Sequence, residues 1–537
     1  MRDVMAAYHV CRYWRQVLQA FTSIWTTIVV PHFDERPSEA LVDGGAGQLL
    51  PPGAQLVSHY LSLSGSLPLD VYLPDISLLS LFSDQSHRLR RLKVSFPGET
   101  VLNGPQAIQA FGLFNHAAPL LEVFDFGAVL PDDQSFGENP LVFVGCQLPV
   151  LFAGQAPLLR KLRLSGLVPW TGNHFRNLTH ICITGYIVHD YNAYAKASEL
   201  LELLQHSPLV EELYLSHLDT WFGRTMPDDL PEINPLRLCR LSVSDCYVWE
   251  LQALFRYLHV PYGASLSVTN LNGDDRALTR ILPLHAERLK VATELKRLEI
   301  NYKSDTVLAF GPSGSLRIIT SGLEMVLPLH GLNQISYAQT LEEVWISGRH
   351  PDSFMWSSGD SNCSASLTAL VSLQSLHIRS RPAKSILQAL TPRAPDPTSP
   401  MTSTPQSVII CPHLHTLSLT SSLGIDGCWS ELLDCARSRF DAGYPLRRIL
   451  VQPSADGYDL LSESMLADLR QVVDVVEYDV VCPLIEVPPE LNEGTHHQYW
   501  PVWLTGNDSD HAAQKQSLQE VFAINESVLE AARAFQA

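Results

Sequence analysis

The sequence predicts an α/β fold: a long, irregular repeat solenoid with a parallel sheet, preceded by a short helical segment. A chain of 537 residues is too long for one ordinary compact domain but suits a repeat array. A six-residue apolar pattern, typical of buried strands, recurs through most of the chain. Amphipathic helical patterns lie between several of its copies, as a strand–helix repeat requires.

The recurring pattern is apolar-x-x-apolar-x-apolar, which is typical of the strand portion of a leucine-rich repeat. Four intervals between copies are 32 residues and the others vary from 19 to 57, so the repeat is long and irregular. The longest interval, 238 to 295, has room for a further copy near Leu266 and Val268. An ordinary α/β domain is the alternative, and eleven copies in one register favour the leucine-rich-repeat-like solenoid. The copies begin at Leu89, Leu121, Leu159, Leu178, Val210, Leu238, Leu295, Leu341, Leu373, Leu414 and Leu446.

Composition and pattern divide the chain into four regions. Residues 1–30 contain the helical segment, and residues 31–84 form a linker and entry segment that starts with a Gly- and Pro-rich stretch. Residues 85–482 form the solenoid. Five prolines within 391–407 predict a disordered loop that interrupts it. Residues 483–537 form a C-terminal tail with a helix that caps the repeat array.

The third and fifth residues of each copy predict a partner-binding face. Because side chains alternate along a strand, these residues point away from the buried apolar positions. The early strands are mostly basic there, whereas the middle strands carry acids beside an aromatic. Tyr and Trp are frequent hot spots, so we expect Tyr214 and Trp345 to be partly exposed anchors for an extended protein partner. The predicted binding residues of this concave face are Arg91, Lys93, Lys161, Arg163, Tyr214, Arg297, Glu343 and Trp345.

Charge and composition exclude several classes of function. The chain has 37 basic and 56 acidic side chains, a net charge of −19, which argues against nucleic acid and against anionic membranes as partners. It has no apolar run of the ~18 residues that a membrane span needs, and no secretory leader pattern. The ten cysteines are scattered without a CxxC motif, as in reduced, buried thiols such as Cys182, Cys239 and Cys411. We therefore expect an intracellular protein of the cytoplasm, the nucleus or both.

The sequence contains none of the common catalytic motifs. GxSxG, GxxxxGK[ST] and HExxH do not occur. Cys411, His413 and His415 alternate along one repeat strand, but this set has no fourth ligand, and we predict no metal there. We predict no catalytic residue, no metal and no cofactor. An enzyme whose residues converge only in three dimensions is the least favoured alternative.

The opening stretch predicts an amphipathic helix followed by a strand. Val10, Trp14, Leu18 and Phe21 recur at a helical spacing that places them on one apolar face. A β-branched run at 26–30 then predicts a strand. We expect Trp14 to be buried between this helix and the strand.

The same stretch resembles the second half of an F-box of the fungal type. The matching residues are the VCRxWR pattern at 10–15, followed by Ile24-Trp25. A second segment, YLSLSGSLPL at 60–69, is similar to the one that follows the box in those proteins. The sequence therefore resembles that of an F-box protein in which a repeat domain follows the box.

This resemblance implies a substrate receptor for a cullin–RING ubiquitin ligase. In the family the box docks on a Skp-type adaptor and the rest of the chain receives a protein substrate. It implies Val10, Arg12, Trp14 and Trp25 as the partner-binding residues of the box. The family's Leu-Pro-x-Glu opening helix does not occur in the sequence, so we expect weak adaptor binding or none. A scaffold with a degenerate box, acting outside ubiquitin transfer, is the alternative.

Overall fold

The computed structural model describes the chain in segments that fall into two compact units, with the boundary between Trp221 and Phe222. The described residues up to 216 belong to unit 1, and those from 230 onward belong to unit 2. The described segments are 11–30, 53–97, 111–129, 150–165, 172–184, 197–216, 230–272, 288–301, 304, 306–320, 336–347, 364, 367–379, 383–392, 409–420, 428–452 and 463–478.

Unit 1 has a sheet whose described strands pair in chain order, β1 to β7, with every pairing parallel. Its short 3-10 segments span Thr22–Trp25, Ile76–Arg88, Phe111–Asn115 and Leu151–Gly154. Its helices and strands are α1 (Arg12–Ala20), β1 (Thr27–Val29), α2 (Ala54–Leu63), β2 (Leu69–Leu73), β3 (Leu89–Pro97), β4 (Val123–Val129), β5 (Lys161–Ser165), β6 (His180–Thr184), α3 (Ala197–Gln205) and β7 (Glu212–Ser216).

Unit 2 has a sheet in the order β8-β9-β12-β11-β10-β13-β14-β15-β16-β17. Its short 3-10 segments span Lys290–Ala292 and Ser336–Thr340. Its helices and strands are β8 (Arg240–Tyr247), α4 (Val248–Tyr257), β9 (Ala264–Asn272), β10 (Arg297–Asn301), β11 (Thr306–Gly311), β12 (Gly314–Thr320), β13 (Glu343–Ser347), β14 (Ser375–Arg379), α5 (Ala383–Leu390), β15 (Thr416–Thr420), α6 (Trp429–Asp441), β16 (Arg448–Gln452), α7 (Glu463–Leu469) and β17 (Val475–Tyr478).

The recurring apolar pattern forms the core of both units. In all eleven copies the three apolar side chains are at most 6% exposed. The residue at the third of the six positions lies in a strand in every copy. The further copy predicted near Leu266 is confirmed as β9, which pairs in parallel with β8 and places Leu266 beside Leu241. The α/β class and the mostly parallel sheet are therefore confirmed.

Two features differ from the sequence prediction. The hairpin β11–β12 is inserted between β10 and β9, so two of the pairings in unit 2 are antiparallel. The sheet of unit 1 also begins before residue 85, because β1 pairs in parallel with β2 and Ile28 lies in register with Val71. Most of the predicted entry segment is therefore part of the folded sheet and its flanking helices.

The box-like segment joins the fold through Trp25, whose side chain is 0% exposed. Its indole Nε1 donates a 2.9 Å hydrogen bond to the carbonyl of Leu18, and its ring lies 5.7 Å from that of Tyr60. The two segments that resemble the F-box region thus pack on each other. Phe21, expected on the buried face, is 57% exposed because α1 ends at Ala20 and the backbone turns away from helical geometry at Phe21.

Several sequence predictions concern parts of the chain outside the described residues. These are Val10, the side chain of Trp14, residues 393–407 of the proline-rich loop, and the tail at 483–537. Cys239, predicted to be buried, is exposed because it holds a non-apolar position of its repeat copy. Among the described helices, none combines the length and the apolar character needed to cross a membrane.

The burial of Trp25 gives a prediction about stability. Trp25→Ala removes a fully buried ring and its hydrogen bond, so we expect the free energy of unfolding to fall by ~3–5 kcal/mol. Chemical denaturation followed by circular dichroism measures this change. The control is Tyr13→Ala on the neighbouring helix α1, where the ring is 67% exposed and the expected change lies within ~0.5 kcal/mol. A loss of under ~1 kcal/mol for Trp25→Ala would contradict the described packing.

Candidate partner-binding faces

Parallel register aligns the outward residues of unit 1 into rows that cross the strands. Lys93 lies beside Asp125, and Asp125 lies beside Arg163. Arg163 is followed across the sheet by Cys182 and then by Tyr214. A second row runs in parallel to the first through Arg91, Val123, Lys161, His180 and Glu212. We call these two rows the unit 1 face.

The unit 1 face brings together the four cations that the sequence predicted. Asp125 lies among them: its carboxylate is 3.6 Å from the Lys93 ammonium and 3.4 Å from the Arg163 guanidinium. The Arg91 Nε is buried and has no hydrogen-bond partner among the described residues. Two carboxylates on this face, Asp125 and Glu212, are outnumbered by its four cations, so this part of an acidic chain has an excess of positive charge.

The pKa of Lys161 is strongly changed by its position on the unit 1 face. Burial, opposed by Glu212 and reinforced by Arg91, lowers the pKa of the Lys161 ammonium to about 8. A lysine in this range is partly neutral near physiological pH and is a better nucleophile than an ordinary surface lysine.

The far end of the same face is less charged. Cys182 is buried, and burial raises the pKa of its thiol well above the ordinary value, so it stays neutral. Tyr214 beside it is half-buried, in agreement with the partial exposure expected of it. His180 Nε2 lies 4.0 Å from a carboxylate oxygen of Glu212.

In unit 2 the predicted residues form a cluster around Glu343, which we call the unit 2 cluster. The Trp345 indole donates a 2.8 Å hydrogen bond to Glu343 Oε1, and the same oxygen lies 3.5 Å from His377 Nε2. The Arg297 Nε is 3.0 Å from the other carboxylate oxygen. These contacts lower the pKa of Glu343, chiefly through the hydrogen bond with His377, so the carboxylate stays ionised while it holds its three neighbours.

Trp345 is not the exposed anchor that the sequence suggested, because its side chain is 4% exposed. Its ring stacks on His377, with ring centroids 3.7 Å apart and an angle of 7° between planes. The Arg379 guanidinium carbon lies 5.1 Å from the Trp345 ring centroid, within range of a cation–π interaction. Trp345 therefore packs within the strand row, and the expectation of partial exposure is wrong for this residue.

Two residues that contact Trp345, His377 and Arg379, were not among the predicted binding residues. Both lie on β14, in register with Trp345 and Ser347 of β13. His377 is the fifth residue of its copy and was visible as an outward position. Arg379 lies two residues further, so extending the alternation by one step identifies it.

The remaining predicted site residues lie apart from these faces. Arg12 is exposed on α1, whereas Trp25 has no exposed surface and so is not available for direct contact with a partner. Cys411 is buried and its thiol contacts the carbonyl of Leu367, while His413 is exposed. No protein-family model matches the chain, and no curated protein matches its sequence.

Differential labelling tests the electrostatics of the unit 1 face. At pH 7.5 we expect an amine-reactive acylating reagent to modify Lys161 faster than Lys384, whose pKa a hydrogen bond with Glu431 raises. Peptide mass spectrometry of partially labelled protein measures both rates. The ratio should shrink as the pH rises from 7 to 10, since Lys161 is then already neutral while Lys384 is still losing its proton. Equal rates at pH 7.5 would contradict the lowered pKa.

Proposed function

We propose that this chain is a non-enzymatic protein–protein interaction protein, an F-box-like substrate receptor of a cullin–RING ubiquitin ligase. In this proposal the mostly parallel sheets belong to an irregular leucine-rich-repeat-like solenoid that binds a protein partner. The observation that carries it is the alignment of polar and aromatic side chains into continuous rows over apolar cores. Such rows offer an extended partner a series of regularly spaced contacts.

The unit 1 face indicates the chemistry of the partner. Its four cations exceed its two carboxylates, Asp125 and Glu212, and burial makes it unfavourable for Lys161 to carry a charge there, as its lowered pKa shows. An acidic side chain of a partner would stabilise the charged form of Lys161 and would offer an acceptor to Arg91. A segment of the partner rich in Asp and Glu is therefore the occupant that this face favours.

The box-like segment offers a separate docking surface. Tyr13 and Phe21 are exposed, at 67% and 57%, beside the exposed Arg12. Large exposed aromatic groups next to an arginine are typical of protein interfaces. In this proposal the adaptor contacts Tyr13, Phe21 and Arg12, while the buried Trp25 only holds the segment in shape.

A second candidate is a scaffold that acts outside ubiquitin transfer. The burial of Trp25 and the pairing of β1 with β2 favour it, because they give the box-like segment a structural role at one edge of the unit 1 sheet. An exposed sheet edge is prone to unwanted pairing, and a segment that covers it protects the fold.

Adaptor binding separates the two candidates. The assay uses the chain as it is and the same chain preceded by a typical first helix of an F-box, each mixed with a purified Skp-type adaptor. We expect weak binding or none by the former and tight binding by the latter. In the extended protein, Tyr13→Ala with Phe21→Ala should weaken binding more than tenfold without changing the melting temperature, since both rings are exposed. Phe440→Ala, at another exposed ring, is the control. Failure of the extended protein to bind would favour the scaffold.

Charge reversal tests the substrate face. Once proximity labelling has identified a partner, Lys93→Glu with Arg163→Glu should weaken its binding more than tenfold, because both cations lie beside Asp125 on the unit 1 face. Arg447→Glu with Arg470→Glu, two exposed reversals in unit 2, control for the same change in net charge. Binding should also weaken as salt is raised. Equal binding by the double variant and the control would overturn the assignment of this face.

A further inference from the structure

Unit 1 contains a cluster of metal-ligand side chains outside the two faces. Glu202 lies on α3 and His206 follows one helical turn later, just beyond the last residue of that helix. His174 lies in the segment that leads to β6. One ligand atom from each of these three residues lies within 4.8 Å of the other two.

The chain holds His174 in place from both sides. Asn173, before it, is buried and accepts a 2.8 Å hydrogen bond from the Leu151 amide through its side-chain oxygen. Phe175, after it, is buried, and its carbonyl accepts a 3.0 Å hydrogen bond from the hydroxyl of Ser207. Because Ser207 directly follows His206, this bond ties the backbone at His174 to the end of α3. The two histidines are thus brought together by buried contacts.

His206 is oriented as a ligand. Its Nδ1 lies 2.8 Å from the backbone carbonyl oxygen of Glu202. A carbonyl oxygen accepts a hydrogen bond and does not donate one, so Nδ1 carries the proton and the neutral ring presents a lone pair at Nε2. Histidines that bind metals are commonly held by such a second hydrogen bond from the opposite ring nitrogen. The His174 and His206 ring centroids are 4.0 Å apart, so the two rings lie against each other.

We propose that His174, Glu202 and His206 bind a zinc ion that links α3 to the segment before β6. Two imidazoles and one carboxylate are a ligand set of zinc, whereas calcium and magnesium prefer oxygen ligands. Zinc lies ~2.0–2.2 Å from such ligands, which sets ligand atoms ~3–4 Å apart, and small side-chain rotations bring the three atoms to that spacing. Three protein ligands leave a fourth position for water or for a side chain of a partner.

Calorimetry of zinc binding tests the site in the full chain. The protein carries no affinity tag and is first freed of metal by dialysis against a chelator. Because His174 is exposed, His174→Ala should fold with the melting temperature of the metal-free wild type. We expect the wild type to bind one more equivalent of zinc than His174→Ala. Zinc should also raise the melting temperature of the wild type more than that of the variant.

Two further variants make the result specific. Glu202→Gln preserves the size of the side chain and should weaken binding at this site at least tenfold. His116→Ala removes an exposed histidine elsewhere in unit 1 and should leave both stoichiometry and affinity unchanged. Equal zinc stoichiometry and affinity in wild type and His174→Ala would overturn the proposal, as would loss of the same equivalent in His116→Ala.

Discussion

The register between neighbouring strands is the constraint on which the rest of this structure depends. Each copy buries three apolar side chains, and their burial fixes how a strand aligns with the next. A slip of one residue would turn the apolar set to the opposite face, so the register is strongly specified. Once it is fixed, residues at equal positions in two paired parallel strands lie side by side, about 4.8 Å apart across the sheet. The functional rows are therefore a consequence of how the core packs.

The same geometry limits which charges the rows can carry. Like charges in adjacent strands repel, and in unit 1 Asp125 is placed between Lys93 and Arg163, where it relieves that repulsion. At Lys161, burial outweighs the attraction of Glu212, and the pKa falls to about 8. In unit 2 the charges are arranged differently, since Glu343 gathers Arg297, Trp345 and His377 into one cluster. Because Glu343 is already paired with Arg297, this cluster leaves less free charge for a partner, so the unit 1 face is the stronger binding candidate.

The sequence predicted the features that follow from local periodicity. The apolar pattern identified the strands that carry it, and β9, because the buried positions of a strand must be apolar at regular intervals along the sequence. The hairpin β11–β12 was missed because its strands do not carry the pattern. The turn between them depends on close packing: a Cβ at Gly314 would lie 2.1 Å from the carbonyl oxygen of Ala264. The burial of Trp345 was missed for a related reason. His377 and Arg379, which flank its ring, come from the next strand, and the sequence does not state how neighbouring side chains stack.

Trp25 links the packing of the fold to the choice between the two proposed functions. A residue with no exposed surface contributes to binding by holding its neighbours in position, so its substitution should lower stability and adaptor binding together. Tyr13 and Phe21 are exposed, and their substitution should affect binding alone. The aromatic residues of the box-like segment thus separate into Trp25, which is buried in the fold, and Tyr13 and Phe21, which are exposed at its surface. That division is what a receptor requires, whereas a scaffold needs only Trp25. Whether Tyr13 and Phe21 contact an adaptor therefore decides between a receptor and a scaffold.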